Sequence, residues 1–185
     1  MAENTDKILL GARGWLHPGW LDSFYPHDLP RDWQLAYYSH EFSMVVIRAQ
    51  EWAQIDSMAE LRKDCAEDFY FLAELPVSAA DSLSASIDII RQLGSQCAGV
   101  IIPAQQFGAC RAELPEAIPC YYDGYAESET NGLIKVPRGT DLKALRLSLE
   151  SALRISASCP VRVIIEGDPP DIELLRHAEI MLGLL

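Results

Sequence analysis

Apolar residues along the chain fall into short aliphatic or aromatic runs closed by glycine, proline or a charged residue, with stretches of helical periodicity between them. The first run, KILLGA at 7 to 12, ends at Arg13-Gly14. The same form returns in SMVVIRA at 43 to 49, DFYFLAELP at 68 to 76, AGVIIPA at 98 to 104, IPCYYDGY at 118 to 125, NGLIKVPRG at 131 to 139 and VRVIIEGD at 161 to 168. Such runs, bounded by turn formers, predict seven buried strands. Apolar positions three and four apart predict helices over 31 to 41 (Trp33, Leu35, Tyr38), 82 to 93 (Leu83, Ile87, Ile90, Leu93) and 141 to 155 (Leu142, Leu145, Leu149, Ala152). A last helix follows Pro169-Pro170, with Asp171 in its first turn and Ile172, Leu175 and Ala178 as the buried stripe. Strand followed by helix, repeated, predicts a parallel sheet with right-handed crossovers. Segments 105 to 117 and 126 to 131 are too short or too polar for full helices, so two crossovers should be abbreviated. No repeat, linker or low-complexity stretch divides the chain, and its 185 residues are read as one domain, 1 to 185.

Parallel order alone fits an open doubly wound sheet or a closed barrel. Alternation along each strand favours the barrel. Gly11 shares a face with Arg13, Val46 with Arg48, Leu72 with Glu74, Ile134 and Val136 with Arg138, and Ile164 with Glu166 and Asp168. The opposite set, Leu10, Val45, Ile47, Phe69, Phe71, Val100, Ile102, Val163 and Ile165, is apolar and should face the helices. One face therefore ends in charge on strand after strand, as expected where strands converge at the carboxyl end of a barrel. Lys135 takes the helix-facing parity, beside the crossover too short to cover it. The expected fold is α/β, a reduced TIM-type β/α barrel of about seven parallel strands with two crossover helices shortened or missing.

The stretch GARGWLHPGW, followed by FYPHDLPRDWQLAYYSHEF and SMVVIRAQEW, resembles the YecE-like family, domain of unknown function 72. The likeness is specific over residues 8 to 52; FYFLAELP and AGVIIPAQQF resemble the family's third and fourth strands, and the last 75 residues match loosely. The resemblance implies a TIM-type barrel and no established reaction. It also exposes departures. Where the second strand of the family typically reads Val-Glu-Ile-Asn, this chain has Val45-Val46-Ile47-Arg48. Glu74 stands at the place of a third-strand lysine, and Tyr121, Tyr122 and Asp123 replace an acidic and basic run on the fifth strand.

A formal charge of −12 without a Lys/Arg-rich run argues against nucleic acid and anionic membranes as partners. The opening MAENTDK lacks a signal-peptide core and no run reaches the ~18 apolar residues of a membrane helix, so a soluble, cytoplasmic, acidic protein is expected. Cys65, Cys97, Cys110, Cys120 and Cys159 form no CxxC pair and are read as reduced and structural. His17, His27, His40 and His177 have no metal-ligand spacing, so no metal site is expected. Of these only His17 lies near the barrel mouth, as a proton carrier or as a solvated loop residue. No cofactor is expected, since the dinucleotide, phosphate-loop and nucleophile-elbow signatures are missing.

The candidate ligand-binding residues are Arg13, Trp15, Arg48, Gln105, Asp123, Arg138 and Asp168, with Glu74 and Glu166 as the candidate acid and base. Arg13, Arg48 and Arg138 could seat a small anionic ligand. The same charges could instead fill the barrel top as a salt-bridge layer with Glu74, Glu166 and Asp168. Trp15 is either an aromatic wall of the mouth or, with Trp20, a cover over the rim against the helix at 31 to 41. Two functions remain: a catalytically silent relative that binds a ligand or a protein, or an enzyme for a small anionic or sugar-like substrate. A trimmed barrel also leaves apolar flanks for a homo-oligomer or another protein partner.

Overall fold

Every predicted strand forms. A computed structural model of the chain describes residues 8–55, 57–75, 83–103, 107–123 and 131–185. Its strands are β1 (Ile8–Arg13), β2 (Met44–Ile47), β3 (Tyr70–Glu74), β4 (Cys97–Pro103), β5 (Cys120–Asp123), β6 (Leu133–Val136) and β7 (Val161–Ile165). All paired neighbours are parallel, in the order β5-β4-β3-β2-β1-β7-β6. The sheet curls into a nearly closed barrel. No ladder joins β5 to β6 among the described residues. Side chains cross that seam instead: Asn131 Nδ2 donates to the Tyr122 carbonyl at 3.1 Å, and Lys135 Nζ to Asp123 Oδ2 at 2.7 Å.

Helices cover the outside: α1 (Gln34–Ser39), α2 (Met58–Lys63), α3 (Leu83–Leu93), α4 (Phe107–Glu113), α5 (Leu142–Ser156) and α6 (Ile172–Leu184). Asp141 and Asp171 cap α5 and α6 by accepting from the amides of Ala144 and Leu174. The outer apolar layer contains Leu10, Val45, Ile47, Phe71, Val100, Ile102, Val163 and Ile165, the helix-facing set expected from alternation. Each such side chain, fully buried, stabilises the fold by ~1.5–3 kcal/mol. The fourth crossover carries only the seven-residue α4, while of the expected abbreviation at 126 to 131 all but Asn131 lies outside the described residues.

Three expectations need correction. On β6 the parity is reversed: Ile134 and Val136 belong to the outer layer, and Leu133 lies in the barrel interior with Leu9, Val46, Leu72 and Ile164. Lys135, two residues on, therefore projects inward. The strand stops at Val136, and alternation counted back from Arg138 runs through a turn that does not keep it. Second, α2 was not foreseen, because a six-residue helix with Met58 as its one buried residue shows no periodicity. Third, Trp33 is 67% exposed and Leu142 is also exposed; both stand at helix starts, before the buried stripe begins.

The residues that opened the family resemblance mostly build the wall between β1 and α1. Trp20 stacks on Tyr38 at 6.0 Å, and its Nε1 donates to the Pro170 carbonyl. The Tyr38 hydroxyl donates to the Met44 carbonyl at 3.0 Å and accepts from the Ala12 amide at 2.9 Å, pinning β1 to β2. Gly11 is required in the interior, since a Cβ there would meet the Met44 carbonyl oxygen at 2.1 Å.

Candidate functional site

A pocket of about 360 Å³ opens where the strands end. Its lining comes from strand ends all around the barrel: Arg13 from β1, Glu74 from β3, Asp123 from β5, Lys135 from β6 and Glu166 just after β7. Alternation puts these residues on the inner face, and convergence of parallel strands brings them together. Leu75, Ile101 and Pro103 supply the apolar part.

The charges pair within the pocket. Arg13 Nε and Nη2 donate to the two oxygens of Glu74 at 2.5 and 2.9 Å, a fork-to-fork bond. This bond raises the pKa of the Arg13 guanidinium further, against the opposing effect of burial, with help from Glu166 and Asp123. The Ala49 amide also reaches Glu74, at 3.4 Å. On the other side Lys135 Nζ stands 2.7 Å from Asp123 and 3.5 Å from Glu166. Three carboxylates thus share two cations, and both halves of the array remain partly open to solvent.

The remaining expected site residues lie elsewhere. Arg48 would fall beside Glu74 if β2 continued, but β2 ends at Ile47 and the Glu51 amide bonds back to the Arg48 carbonyl. The turn folds the guanidinium onto Glu51 instead, with Nη2 to Oε1 at 2.6 Å. Arg138 lies outside the pocket, beside Trp20 and Pro169, and reaches the Asp168 carbonyl at 3.4 Å. The three arginines therefore do not converge. Asp168 points to solvent. Trp15 is buried, lining a separate groove with Leu16, Leu35 and Leu61, and its carbonyl accepts from the Tyr25 hydroxyl. It covers the rim against α1 rather than walling the strand-end pocket. Gln105 lies outside the described residues.

Two residues escaped the expectation for legible reasons. Lys135 falls on the wrong face when alternation is counted back from Arg138 through the turn after Val136. Arg162, buried on β7 with interior parity, donates to the Ala98 carbonyl at 3.0 Å and lies 5.8 Å from the Tyr121 ring, closing the barrel floor. Its alternation with Ile164 and Glu166 was the available signal. Burial pushes the thiols of Cys65, to about 11, and of Cys97, Cys110 and Cys120 up, which disfavours the thiolate a nucleophile needs. Among the described residues no group of His, Cys, Asp and Glu could hold a metal ion, and no helix is long and apolar enough to cross a membrane.

Parallel strands, covering helices and a charged mouth at the carboxyl ends define a TIM-type β/α-barrel protein. The family model described as "Protein of unknown function DUF72" matches residues 9–122. The chain belongs to the DUF72 family. Its fold is similar to that of a DUF72 family protein from Thermotoga maritima, with a TM-score of 0.68 and 12% identity over 94% of this chain and 98% of that one. It is similar also to a DUF72 family protein from Enterococcus faecalis, with a TM-score of 0.59 and 11% identity over 98% of both chains. No curated protein matches the chain.

Proposed function

We propose that this chain binds a small, uncharged, polyhydroxylated molecule in the strand-end pocket and does not transform it. One observation carries the reading: both cations of the pocket are already engaged by its carboxylates, Arg13 by Glu74 and Lys135 by Asp123 and Glu166. An anion would have to draw Arg13 away from a two-bond partner in a lining with an excess of carboxylates. Hydroxyl groups both donate and accept, so a sugar-like molecule can add to the array without breaking it. The volume falls within the ~300–1,000 Å³ of small-molecule sites.

A second reading, acid–base catalysis on the same class of molecule, is favoured by Glu166 alone, whose contact with Lys135 is the long one at 3.5 Å. Thermal shift against neutral sugars and polyols, sugar phosphates, carboxylates and nucleotides tests the class. A neutral polyol at about 100 times its dissociation constant should raise Tm by ~5–10 °C. The rise should vanish in Glu74→Gln. Stabilisation by sugar phosphates and not by polyols overturns the ligand class. Turnover of a bound polyol, seen by NMR and abolished in Glu166→Gln, replaces the silent reading with the catalytic one.

A further inference from the structure

His17 follows β1 at the rim, and its side chain is 1% exposed, so it is not the solvated loop residue that its position suggested. Its Nε2 lies 3.0 Å from the Arg13 carbonyl oxygen. A carbonyl only accepts, so Nε2 carries the hydrogen. In the neutral ring Nδ1 is then a bare acceptor, and this buried atom has no hydrogen-bond partner. Asp168 Oδ1 lies 3.4 Å from it, on a side chain that is 91% exposed. Two acceptors face one another, and one proton between them would complete a charge-assisted bond.

Both ends of that contact lead into the pocket. The ring holds the backbone of Arg13, whose guanidinium faces Glu74. Asp168 stands two residues beyond Glu166, across Gly167, and its carbonyl accepts from Arg138. We propose that His17 is a positioning residue that couples the strand-end pocket to proton uptake: the protonated ring captures Asp168 through Nδ1 and clamps the end of β7 to the end of β1. The captured proton comes from solvent and leaves when the ring is neutral again.

The groups facing the ring set the balance. Burial lowers its pKa most, the Arg13 carbonyl raises it, Arg48 from the turn after β2 lowers it and Asp168 from the loop after β7 raises it. The Trp20 ring, 4.5 Å away, brings no charge. Arg48 is itself held by Glu51, so its opposition is partly neutralised. Asp168 is the exposed, movable member. Capture therefore moves the loop after β7 toward a fixed ring.

The effect on a ligand rests on the pocket being a binding site, but the clamp is measured without one. NMR pH titration follows the His17 ring and the Arg13 Nε–H in the wild-type protein, in Asp168→Asn and in His17→Gln. The wild-type ring should titrate below the ordinary histidine value, and Asp168→Asn should move that midpoint lower still. The Arg13 Nε–H resonance should show a step at the ring's midpoint, move with it in Asp168→Asn, and show none in His17→Gln. An equal midpoint in wild type and Asp168→Asn overturns the proposal. So does an Arg13 resonance indifferent to the ring, or a ring that stays neutral until the protein unfolds. Failure of every polyol to bind would overturn the functional reading and leave these resonances as they are.

Discussion

Arg48 should behave as half of a buried ion pair. Its partner Glu51 has a side chain 4% exposed and accepts three bonds from this one residue: from the amide at 2.9 Å, from Nε at 2.9 Å and from Nη2 at 2.6 Å. The guanidinium lies over Gly14, where a Cβ would stand 2.7 Å from Nε and where φ is +83°, so the room for Arg48 is made by a glycine. Arg48→Met keeps the aliphatic stem and leaves the Glu51 carboxylate with the amide alone. Breaking a buried pair from one side costs ~3–5 kcal/mol. Partial exposure of Arg48 and the retained stem reduce this to ~2–3 kcal/mol. In a chain of this size Tm should fall by ~5–10 °C. Removing both charges in Arg48→Met/Glu51→Gln, whose side-chain oxygen still accepts from the Arg48 amide, should recover stability to within ~1 kcal/mol of wild type, because the desolvation of both ions goes with their attraction. Urea unfolding of the four proteins closes the cycle. A coupling energy below ~0.5 kcal/mol refutes the structural pair. Stabilisation of the wild type by phosphate that Arg48→Met loses would return Arg48 to the anion seat.

Tyr38→Phe should cost ~2–3 kcal/mol in urea unfolding, because the Ala12 amide and Met44 carbonyl, which the hydroxyl bridges, are left buried without it. Stability should also fall on acidification through His17, whose folded-state pKa is lowered. The unfolded chain then binds the proton more readily, so this contribution is fully present above ~6.5 and lost as pH drops toward the folded-state midpoint. Urea midpoints at pH 7.5 and 5.5 should therefore differ more in wild type than in His17→Gln, and more again in Asp168→Asn, which lacks the compensating carboxylate.

The barrel was legible because the alternating pattern is written into strands buried on both faces. Leu10, Val45, Phe71, Val100 and Val163 all face the helices, and charge follows the inner face of β1 and β3 to the rim. Alternation holds only as far as the extended backbone does. Arg13 and Glu74 are the last residues of their strands, and Glu166, one residue past β7, keeps the ladder through its amide bond to the Val136 carbonyl at 2.9 Å, so counting to them succeeds. Arg48, one residue past β2, gives its amide to Glu51 Oε2 instead of to a neighbouring strand, and Arg138 lies in the turn after β6, so counting to them fails. The two failures differ in consequence. At Arg48 only the terminal side chain is lost from the site, whereas at β6 the count turns the whole strand to the opposite face. The partner of Arg48 was invisible for a related reason, since Glu51 enters through a turn that alternation does not describe.

The seam explains why the cations of the pocket are already paired. Among the described residues β5 and β6 end the sheet without a shared ladder, and Lys135 is placed where its ammonium can hold Asp123 from the facing edge. That bond ties together strand ends that no ladder joins among the described residues, and the same lysine stands near Glu166, just after β7, the paired neighbour of β6. Across the mouth Arg13 is spent in the same way, joining β1 to β3 over the end of β2. Each cation therefore bridges strands before any ligand arrives. On the proposed reading, a molecule entering between them would meet fixed donors and acceptors rather than free charge, and such an array would distinguish the placement of hydroxyl groups.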